Sequence, residues 1–359
     1  MRIVLTGGGT GGHVYPALAI AEALRDIDKG VELHFIGTAT GFEAKAVPAA
    51  DETFHTISSG GIIGKSVIKR MTGVAKAAAG VFQSLLILRR LKPNVIVGTG
   101  GFVMAPVLFA ARALGIPYYL QEQNSYPGLS TRRFAKGAKA VFIAYSQAQV
   151  HLPNSHNVLT GNPLRRKMAE FANGQRKQIS SSPAKILVTG GSLGARSINN
   201  AVADALEYLC AFATVTWQFG KSGIPEQALS VVERLKSQGR LIAAPFFEDM
   251  PTRMGNADIV ICRAGAMTLS EIALFGVPAI LIPFPYAAHD HQTANAKSYS
   301  ESGAAELIKD SELDRNSLLN ACQKIASDSE KYNRMSNAML SLARPDAANE
   351  IAQSVLKAA

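Results

Sequence analysis

The sequence predicts an α/β protein with two Rossmann-like domains whose parallel β-sheets face each other across a cleft. Two observations predict this fold. Each half of the 359-residue chain opens with a short apolar strand that leads into a glycine-rich loop and then into a helix. Further along, each half contains a second series of strand, small-residue pair, helix and strand. Such units build parallel sheets, and the length suits two domains of roughly 100–200 residues each.

The opening series of the two halves follow one plan. In the first half, residues 3–5 (IVL) precede the glycine loop at residues 7–12 (GGGTGG), and an Ala/Leu-rich amphipathic stretch follows. In the second half, residues 185–189 (KILVT) precede the loop at residues 190–195 (GGSLGA). Glycines between a strand and a helix let the backbone approach a phosphate or a sugar at the helix N-terminus.

The second series supports a duplicated architecture. Residues 94–117 contain an apolar strand, a glycine pair, a helical stretch and a Gly-Ile-Pro turn, and residues 258–278 repeat this order with Ala-Gly and Gly-Val-Pro. The repeat predicts two similar domains. It also assigns the uncharged residues 95–111 to a strand, a loop and a helix, since they fall short of the ~20 residues that span a bilayer.

We expect the first domain to cover residues 1–163 and the second to cover residues 164–342. The Gly-Asn-Pro turn at residues 161–163 marks the crossing, and the polar, Ser-rich residues 175–183 precede the first strand of the second domain. Residues 343–359 are expected to end in a helix that packs back on the first domain.

Composition excludes several classes of protein. With 47% hydrophobic and 18% charged residues, the chain has ample material for packed cores and is not disordered overall. Its three cysteines are far apart, which excludes a disulfide scaffold or a cysteine-based zinc site and is typical of a reducing cytoplasm. The apolar run at the N-terminus breaks after three residues, too early for the core of a signal peptide.

Charge is distributed unevenly along the chain. Residues 1–169 carry 19 Lys and Arg against 8 Asp and Glu, whereas the remainder carries 18 against 19. This asymmetry suggests an anionic partner for the first half: a nucleic acid, a membrane surface or a phosphate-rich substrate. A nucleic acid is disfavoured, because aromatic residues make up 7% and no RNA-recognition motif with interleaved aromatics is present.

The first glycine loop matches the Gly-x-Gly-x-x-Gly pattern of dinucleotide-binding folds. That pattern needs an acid near the end of the second strand, and residues 36–40 (IGTAT) contain none, which argues against a nicotinamide cofactor. His13 ends the loop. Either it is a helix-start histidine that the local backbone satisfies, or it accepts the proton of an attacking hydroxyl or positions the group that does; we favour a functional role.

The most specific segment is residues 262–278 (CRAGAMTLSEIALFGVP). Gly265 lets the backbone turn at the end of a strand, Thr268 and Ser270 offer hydroxyls in the first helical turn, and Glu271 follows. A diphosphate could lie on the helix start while Glu271 accepts two hydrogen bonds from a ribose 2′,3′-diol. The alternative is an ordinary helix cap with an acid favoured by the helix dipole.

Five motifs occur together and in order: residues 8–13 (GGTGGH), 122–124 (EQN), 161–165 (GNPLR), 190–195 (GGSLGA) and 262–278. On these residues the chain resembles, end to end, the bacterial peptidoglycan N-acetylglucosaminyltransferases that convert lipid I to lipid II. The resemblance implies a GT-B fold and an inverting transfer of GlcNAc from UDP-GlcNAc to the 4-hydroxyl of MurNAc in undecaprenyl-diphospho-MurNAc-pentapeptide. It also implies a role in cell-wall synthesis, cell shape and cell division, with no metal or other cofactor.

The resemblance implies the site residues as well. Residues matched to donor contacts are Thr10, Gly11, Gly12, Asn124, Arg165, Ser192, Phe247, Ala266, Met267, Thr268, Leu269, Ser270, Glu271 and Gln292. The spacing of the loop that carries Gln292 leaves His291 as an alternative contact to the donor sugar. His13 is the first candidate for the catalytic base. Glu122 is the second, unless it serves to orient Asn124 and its loop.

Other functions remain open at this point. His289 and His291 flank Asp290, but no third metal ligand is evident and no Asp-x-Asp motif is present, so we expect no metal site. A UDP-GlcNAc 2-epimerase would be expected to carry several acids and histidines around the cleft, whereas Glu122 is the only acid between residues 53 and 169. A third possibility is a basic, non-enzymatic binding module that takes the sugar nucleotide only as a ligand.

The basic, acid-free residues 60–92 predict a membrane-docking surface. Apolar residues recur there at three- and four-residue steps, which predicts an amphipathic helix, broken into two at Gly73 or Gly80. Most of the stripe should pack on the sheet. The expected docking residues are Ile62, Ile63, Lys65, Lys69 and Arg70, while Phe82 and Leu86 widen the stripe. Apolar side chains amid cations suit anionic lipids of the inner membrane, so we expect a peripheral protein on its cytoplasmic face. The resemblance adds other cell-wall synthesis proteins as expected partners.

Overall fold

Two parallel β-sheets organise the chain in a computed structural model that describes residues 1–60, 67–172 and 184–357. The chain divides into two units, residues 1–166 with 344–359, and residues 167–343. The first unit extends three residues beyond the expected boundary, because Arg166 pairs with Asp26 at 2.7 Å and donates its backbone N–H to Glu22 at 3.1 Å. The Ser-rich residues 175–183 lie outside the described residues.

The strands of the described residues form two sheets, and every pair of neighbours is parallel. The strands are β1 (Arg2–Gly7), β2 (Glu32–Gly37), β3 (Thr53–Thr56), β4 (Val95–Gly100), β5 (Tyr118–Glu122), β6 (Val141–Ile143), β7 (Asn157–Leu159), β8 (Ala184–Thr189), β9 (Ala213–Gln218), β10 (Leu241–Ala244), β11 (Ile259–Cys262), β12 (Ala279–Leu281) and β13 (Ala305–Leu307).

The helices alternate with the strands, as expected for βαβ units. They are α1 (Gly11–Ile27), α2 (Glu43–Ala46), α3 (Val67–Leu91), α4 (Met104–Ala113), α5 (Leu129–Phe134), α6 (Arg166–Ala172), α7 (Arg196–Phe212), α8 (Leu229–Ser237), α9 (Met250–Asn256), α10 (Ala266–Phe275), α11 (His291–Glu301), α12 (Arg315–Ala326), α13 (Ser329–Ser341) and α14 (Ala347–Lys357). No helix among the described residues is long and apolar enough to cross a membrane.

The two sheets have equivalent strand orders, which confirms the predicted duplication. The first runs β3-β2-β1-β4-β5-β6-β7 and the second runs β10-β9-β8-β11-β12-β13. After β1 the chain moves to β2 on one side, and after β4 it moves to β5 on the other. The β1/β4 pair is therefore a topological switch point, and β8/β11 is its counterpart. Ligands of open parallel sheets bind at the carboxyl ends of strands at such points.

The core of the first unit has one cluster on each face of its sheet. On one face, Ile20 of α1 and Ile351 of α14 pack with Ile3 of β1, so the C-terminal helix belongs to this core. On the other face, Leu88 of α3 and Val107 of α4 belong to one cluster with strand residues. The second unit has its own core around Trp217, whose indole N–H donates to Asn199 Oδ1 at 3.2 Å.

Helix α3 corrects one expectation. It runs unbroken through Gly73 and Gly80, although a break was expected at these glycines. Gly80 serves close packing instead: a Cβ atom there would lie 2.1 Å from the carbonyl oxygen of Ser58 and 3.4 Å from Cβ of Pro106 in α4. Glycine therefore lets α3 approach neighbouring backbone.

Candidate functional site

Two glycine loops meet at the switch point of the first unit. Residues 7–12 follow β1, and residues 100–102 follow the neighbouring β4. The backbone N–H of Gly8 donates to the carbonyl oxygen of Gly100 at 3.3 Å. Gly101 has a φ of +83°, and a Cβ atom there would lie 2.2 Å from the carbonyl oxygen of Gly8. Only glycine allows this close approach of the two loops.

His13 lies in the first turn of α1, beside both loops. Its Nδ1 is 3.1 Å from the carbonyl oxygen of Gly8 and 3.2 Å from Oγ1 of Thr10, and its ring packs against Gly100. Oγ1 of Thr99 donates to the backbone carbonyl of His13 at 2.7 Å. A carbonyl at Nδ1 favours the tautomer with the proton on Nδ1, which leaves the lone pair on Nε2. In this tautomer the imidazole can accept a proton at Nε2.

The other residues matched to the donor in this loop lie at the start of α1. Thr10 is exposed at the N-cap, and its backbone carbonyl accepts the N–H groups of His13 and Val14. Gly11 packs against Tyr15, whereas a Cβ atom on Gly12 would meet nothing closer than Thr10 Oγ1 at 3.6 Å. The helix begins earlier than the sequence indicated, so His13 is a helical residue and not the last residue of the loop.

Glu122 is 2% exposed and holds the loop that follows β5. Its Oε1 accepts hydrogen bonds from the backbone N–H and Nδ2 of Asn124, and its Oε2 accepts one from the backbone N–H of Gly128 at 3.0 Å. Burial raises the pKa of the Glu122 carboxyl, although hydrogen bonds from Thr131, Asn124 and Gly128 oppose the rise. Because both oxygens are engaged, the geometry favours a positioning role for Glu122 over that of a base.

A buried amide network joins three of the sequence motifs. Gln121 Nε2 donates to Asn162 Oδ1 at 3.1 Å, and Asn162 Nδ2 donates to the backbone carbonyl of Gln123 at 3.2 Å. Gln123 Nε2 donates to the carbonyl oxygen of Thr99 at 2.6 Å, and Thr99 in turn holds His13. Gln121 and Thr99 could not be predicted as site residues from the sequence, because they belong to no recognisable pattern.

Arg165 lies elsewhere in the first unit. Its guanidinium stands over the ring of Tyr15, 5.1 Å from the ring centroid. Both residues line a groove of about 650 Å³ between α1 and residues 46–52, together with the ion pair of Arg25 and Glu52. A cation over an aromatic face is a weak, adaptable contact. The contact of Arg165 with the donor stays a prediction.

The glycine loop of the second unit is held by backbone hydrogen bonds from the segment that follows β9. Lys221 and Ser222 donate their N–H groups to the carbonyls of Ser192 and Leu193 at 3.2 and 3.0 Å. Gly194 has a φ of +75°, and a Cβ atom there would lie 2.2 Å from the carbonyl oxygen of Phe219. Ser192 is exposed at the tip of this loop, which follows β8 at the switch point.

Helix α10 begins beside this loop, at the end of the neighbouring β11. Gly265 is its N-cap, and Asn295 Nδ2 donates to the carbonyl of Ala264 at 3.3 Å, which ties α11 to the helix start. Ala266 and Leu269 are buried, while Met267 and Thr268 are partly exposed. Ser270 differs from the expectation: it is the fifth helical residue, and its hydroxyl donates to the carbonyl of Ala266 at 3.1 Å instead of lying in the first turn.

Glu271 is partly exposed in the second turn of α10. Its charge acts on Cys262 at the end of β11: burial raises the pKa of this thiol to about 12, and the nearby Glu271 carboxylate adds to the rise. Helix α10 begins four residues after the end of β11, so Glu271 lies on the helix that follows the switch point where a nucleotide is expected.

Hydrogen bonds hold the loops that carry Phe247 and Gln292. The backbone N–H of Phe247 donates to Gln218 Oε1 at 2.9 Å, and its buried ring is covered by Arg253, 3.8 Å from the centroid. Gln292 Oε1 accepts the backbone N–H of Phe284 at 2.9 Å. These bonds fix the loops after β10 and β12 at the carboxyl edge of the sheet.

The loop before Gln292 has an unusual backbone. His289 and Asp290 have φ values of +54° and +53°, a left-handed conformation that is costly for residues other than glycine. His291 then opens α11. Within the described parts of the chain, no three His, Cys, Asp or Glu side chains come together as metal ligands.

Arg263 is a further residue that the sequence analysis passed over. Its guanidinium donates to the carbonyls of Ile282 and Pro283 at 3.2 and 3.1 Å, to Asp310 at 2.5 Å and to Ser197 Oγ at 2.9 Å. It thus joins the ends of β11 and β12 to the start of α7. Nothing in its spacing pointed to this role, because the partners are distant in sequence.

Part of the expected docking surface is described. Ile62, Ile63 and Lys65 lie outside the described residues, and for Lys69 and Arg70 only the helical backbone of α3 is described. Further along α3, Phe82 and Leu86 are 62% and 52% exposed, and Phe109 of the adjacent α4 is 45% exposed. Arg89 and Arg90 are exposed at the end of α3.

Comparisons with known proteins agree with this arrangement. The chain matches the glycosyltransferase family 28 N-terminal domain over residues 3–143 and the corresponding C-terminal domain over residues 185–351. It is 42% identical to the UDP-N-acetylglucosamine–N-acetylmuramyl-(pentapeptide) pyrophosphoryl-undecaprenol N-acetylglucosamine transferase of Methylococcus capsulatus, covering 100% of this chain and 99% of the relative.

Solved structures show the same fold. A MurG from Acinetobacter baumannii is 30% identical with a TM-score of 0.79, and 99% of each chain is covered. A UDP-GlcNAc 2-epimerase from Neisseria meningitidis has a TM-score of 0.69 at 12% identity, covering 99% of this chain and all of the epimerase, and therefore shares the fold alone. The predicted GT-B fold is confirmed. This chain belongs to glycosyltransferase family 28 and, within it, to the family of N-acetylglucosamine transferases that includes the Methylococcus relative.

Proposed function

We propose that this chain transfers GlcNAc from UDP-GlcNAc to the 4-hydroxyl of MurNAc in undecaprenyl-diphospho-MurNAc-pentapeptide, giving lipid II and UDP. The observation that carries the proposal is similarity over the full chain to transferases whose name states this donor and acceptor. The placement of the glycine loops and of α10 at the two switch points supports it, since these are the positions where parallel sheets bind ligands.

Most of the residues matched to donor contacts lie in the second unit, and we assign the UDP part of the donor to it. The donor contacts predicted in the first unit are Thr10, Gly11, Gly12, Asn124 and Arg165. The N-terminus of α10 and the loop at residues 190–195 follow the neighbouring strands β11 and β8. A diphosphate on the helix start can therefore also reach Ser192. Glu271, one turn further along, can then accept hydrogen bonds from both ribose hydroxyls. Thr268 supplies a hydroxyl in the first turn, whereas the Ser270 hydroxyl already donates to the helix backbone.

The chemical step is an inverting displacement. The acceptor hydroxyl oxygen forms a bond to C1 of GlcNAc as the bond between C1 and the diphosphate oxygen breaks, and the electron pair of that bond leaves with UDP. The hydroxyl proton passes to Nε2 of His13, whose tautomer is held by Gly8 and Thr10. The α10 N-terminus stabilises the charge that develops on UDP, so the proposed reaction needs no metal.

The acceptor carries a long lipid, and we propose that the protein docks on the cytoplasmic face of the membrane that holds it. The exposed Phe82 and Leu86 on α3, with Arg89 and Arg90 on the same helix, support a peripheral contact with anionic lipids. Other cell-wall synthesis proteins are further proposed partners, and no nucleic acid is expected.

A single assay tests the activity. The protein is incubated with UDP-GlcNAc and a short-chain lipid I analogue, with and without EDTA, and the products are separated. Disaccharide and UDP in both samples support the proposal, and loss of product with EDTA contradicts its metal-free form. UDP-ManNAc would point to an epimerase, and unchanged UDP-GlcNAc would indicate a binding module.

A further inference from the structure

We propose that Glu43 is a positioning residue for this transfer: its buried carboxylate holds the first glycine loop in the shape that presents Thr10 and His13. The inference rests on the proposed function, because it gives the loop its purpose through His13. Glu43 is the first residue of α2, which follows β2, and it is 1% exposed.

The carboxylate joins two separate segments. Its Oε2 accepts the backbone N–H of Gly9 at 2.8 Å, and its Oε1 accepts the backbone N–H of Thr38 at 3.0 Å and the hydroxyl of Thr38 at 2.6 Å. Burial alone would raise the pKa of this carboxyl, but the hydrogen bonds from Thr38 and Gly9 outweigh it and hold the pKa below its ordinary value. The group therefore stays ionised at neutral pH, when both oxygens can only accept.

Three glycines enclose the carboxylate. A Cβ atom on Gly8 would lie 2.6 Å from the carboxyl carbon of Glu43, one on Gly41 would lie 2.2 Å from Oε1, and one on Gly37 would lie 2.5 Å from Cγ. Larger residues at these positions would displace the side chain. The glycines of this region thus make room for Glu43, in addition to bringing the two loops together.

The link to His13 is short. Gly8 supplies the carbonyl that faces His13 Nδ1, Gly9 donates to Glu43, and Thr10 places its hydroxyl 3.2 Å from the same Nδ1. These are three consecutive residues, so the anchored amide lies between the two groups that orient the imidazole. Releasing Gly9 would free both partners of Nδ1 to move.

The glycine loop of the second unit is anchored in a different way from that of the first. The loop at residues 190–195 is anchored by backbone N–H groups of Lys221 and Ser222. The loop of the first unit uses a charged side chain at the corresponding place, after the second strand of its sheet. The carboxylate accepts the backbone N–H of Gly9, so this N–H group is already engaged within the protein.

The test is Glu43→Gln, because Gly9 and Thr38 donate to different oxygens of the carboxylate and glutamine replaces one of these oxygens by an NH2 group, which is itself a donor. The matched control is Glu52→Gln, an acid nearby in sequence that pairs with Arg25 instead. A second variant, Thr38→Val, removes one hydrogen bond to the carboxylate and leaves the bond to Gly9. The measurements are kcat and donor KM with a short-chain lipid I analogue, and amide hydrogen exchange across residues 7–14.

We expect Glu43→Gln to lower kcat by about tenfold or more, with donor KM within about twofold of wild type, and to speed exchange at residues 8–13. Glu52→Gln and Thr38→Val should stay within about threefold of wild-type kcat. An unchanged kcat in Glu43→Gln overturns the proposal, even if exchange is faster. A rise in donor KM as large as the fall in kcat also overturns it, since Glu43 would then serve donor binding or overall structure and not the position of His13.

If Glu43→Gln does not fold, amide hydrogen exchange of the wild-type protein tests the proposal. The Gly9 amide should then be the best protected amide between Gly8 and Gly12, and rapid exchange at Gly9 would overturn the anchoring role. If the proposed function is wrong, the wild-type enzyme forms no disaccharide. The hydrogen-exchange result then still shows whether Glu43 anchors the loop.

Discussion

Glu122 and Asn124 form a closed pair at the end of β5: one carboxylate oxygen, Oε1, accepts both the backbone N–H of Asn124 at 3.1 Å and its side-chain Nδ2 at 3.3 Å. The amide of Asn124 is therefore oriented by its neighbour two residues earlier. With Oε2 engaged by Gly128, the carboxylate acts on the loop rather than on a substrate.

The first prediction is that Glu122→Gln lowers kcat moderately, by about tenfold, rather than by the ~10²–10⁴-fold typical of a lost general base. A glutamine keeps one accepting oxygen, so it loses part of the loop contacts without abolishing the fold. Steady-state kinetics with both substrates measures the effect, and Glu312→Gln on the exposed surface is the control. A loss above ~10³-fold would return Glu122 to the role of base.

The second prediction concerns pH and the same carboxyl. Burial raises its pKa in the folded protein above the ordinary 4.5, so the folded state binds the proton more tightly than the unfolded state. Its contribution to stability is then present below pH 4.5 and is lost as pH rises through the folded pKa. The free energy of unfolding of the wild type should fall relative to that of Glu122→Gln as pH rises from 4.5. Parallel urea titrations across this range measure it, and a constant difference contradicts it.

The third prediction is that His13→Ala loses ~10²–10⁴-fold in kcat while its affinity for UDP-GlcNAc stays nearly intact. The imidazole is held by groups of the first unit, whereas the UDP part of the donor is assigned to the second. Single-turnover kinetics and calorimetry separate the two effects, with the exposed His156→Ala as control. If donor affinity falls in parallel with rate, His13 shapes the loop and the base is another group.

The fourth prediction is that Glu271→Ala weakens UDP binding by roughly ten- to a hundredfold, or about 1.5–3 kcal/mol, because a carboxylate that accepts two ribose hydroxyls is lost. Calorimetry with UDP measures it, and Glu301→Ala at the end of α11 is the matched control. The same variant should also lower the pKa of the Cys262 thiol, since the Glu271 charge adds to its rise. Unchanged UDP affinity leaves Glu271 as an ordinary helix acid.

Most of the fold could be predicted from local signals in the sequence. Apolar strands such as residues 3–5 and 185–189 are followed at once by glycines, and both facts are visible within a dozen residues. The equivalent strand orders of the two sheets then follow from the repeated order of elements. Gly80 shows the limit: its sequence context suggests a helix break, whereas its reason is the carbonyl of Ser58, more than twenty residues away.

The site was only partly predictable for the same reason. His13 shares its motif with Gly8 and Thr10, but Thr99 and Gly100, which also contact it, come from elsewhere in the chain. Glu43 lies three residues beyond residues 36–40, where the dinucleotide-binding pattern places an acid, and the turn at residues 38–42 brings it back to Gly9. Gln121 and Asn162 are 41 residues apart, and only the sheet joins them. Tertiary contacts of this kind leave no spacing in the sequence.

The last prediction concerns the membrane. The chain should bind vesicles that contain phosphatidylglycerol or cardiolipin, bind them less at high salt, and scarcely bind neutral vesicles, because each base near the surface contributes about 1 kcal/mol with anionic lipids. Charge reversal at Lys65, Lys69 and Arg70 should weaken sedimentation with anionic vesicles while sparing transfer to a short-chain soluble acceptor.

Phe82→Ser with Leu86→Ser tests the apolar part, since both side chains are more than half exposed and their loss removes little from the core. Tyr208→Ser, an exposed aromatic of the second unit, is the control. Equal sedimentation of wild type and of both sets of variants would show that docking occurs through another face.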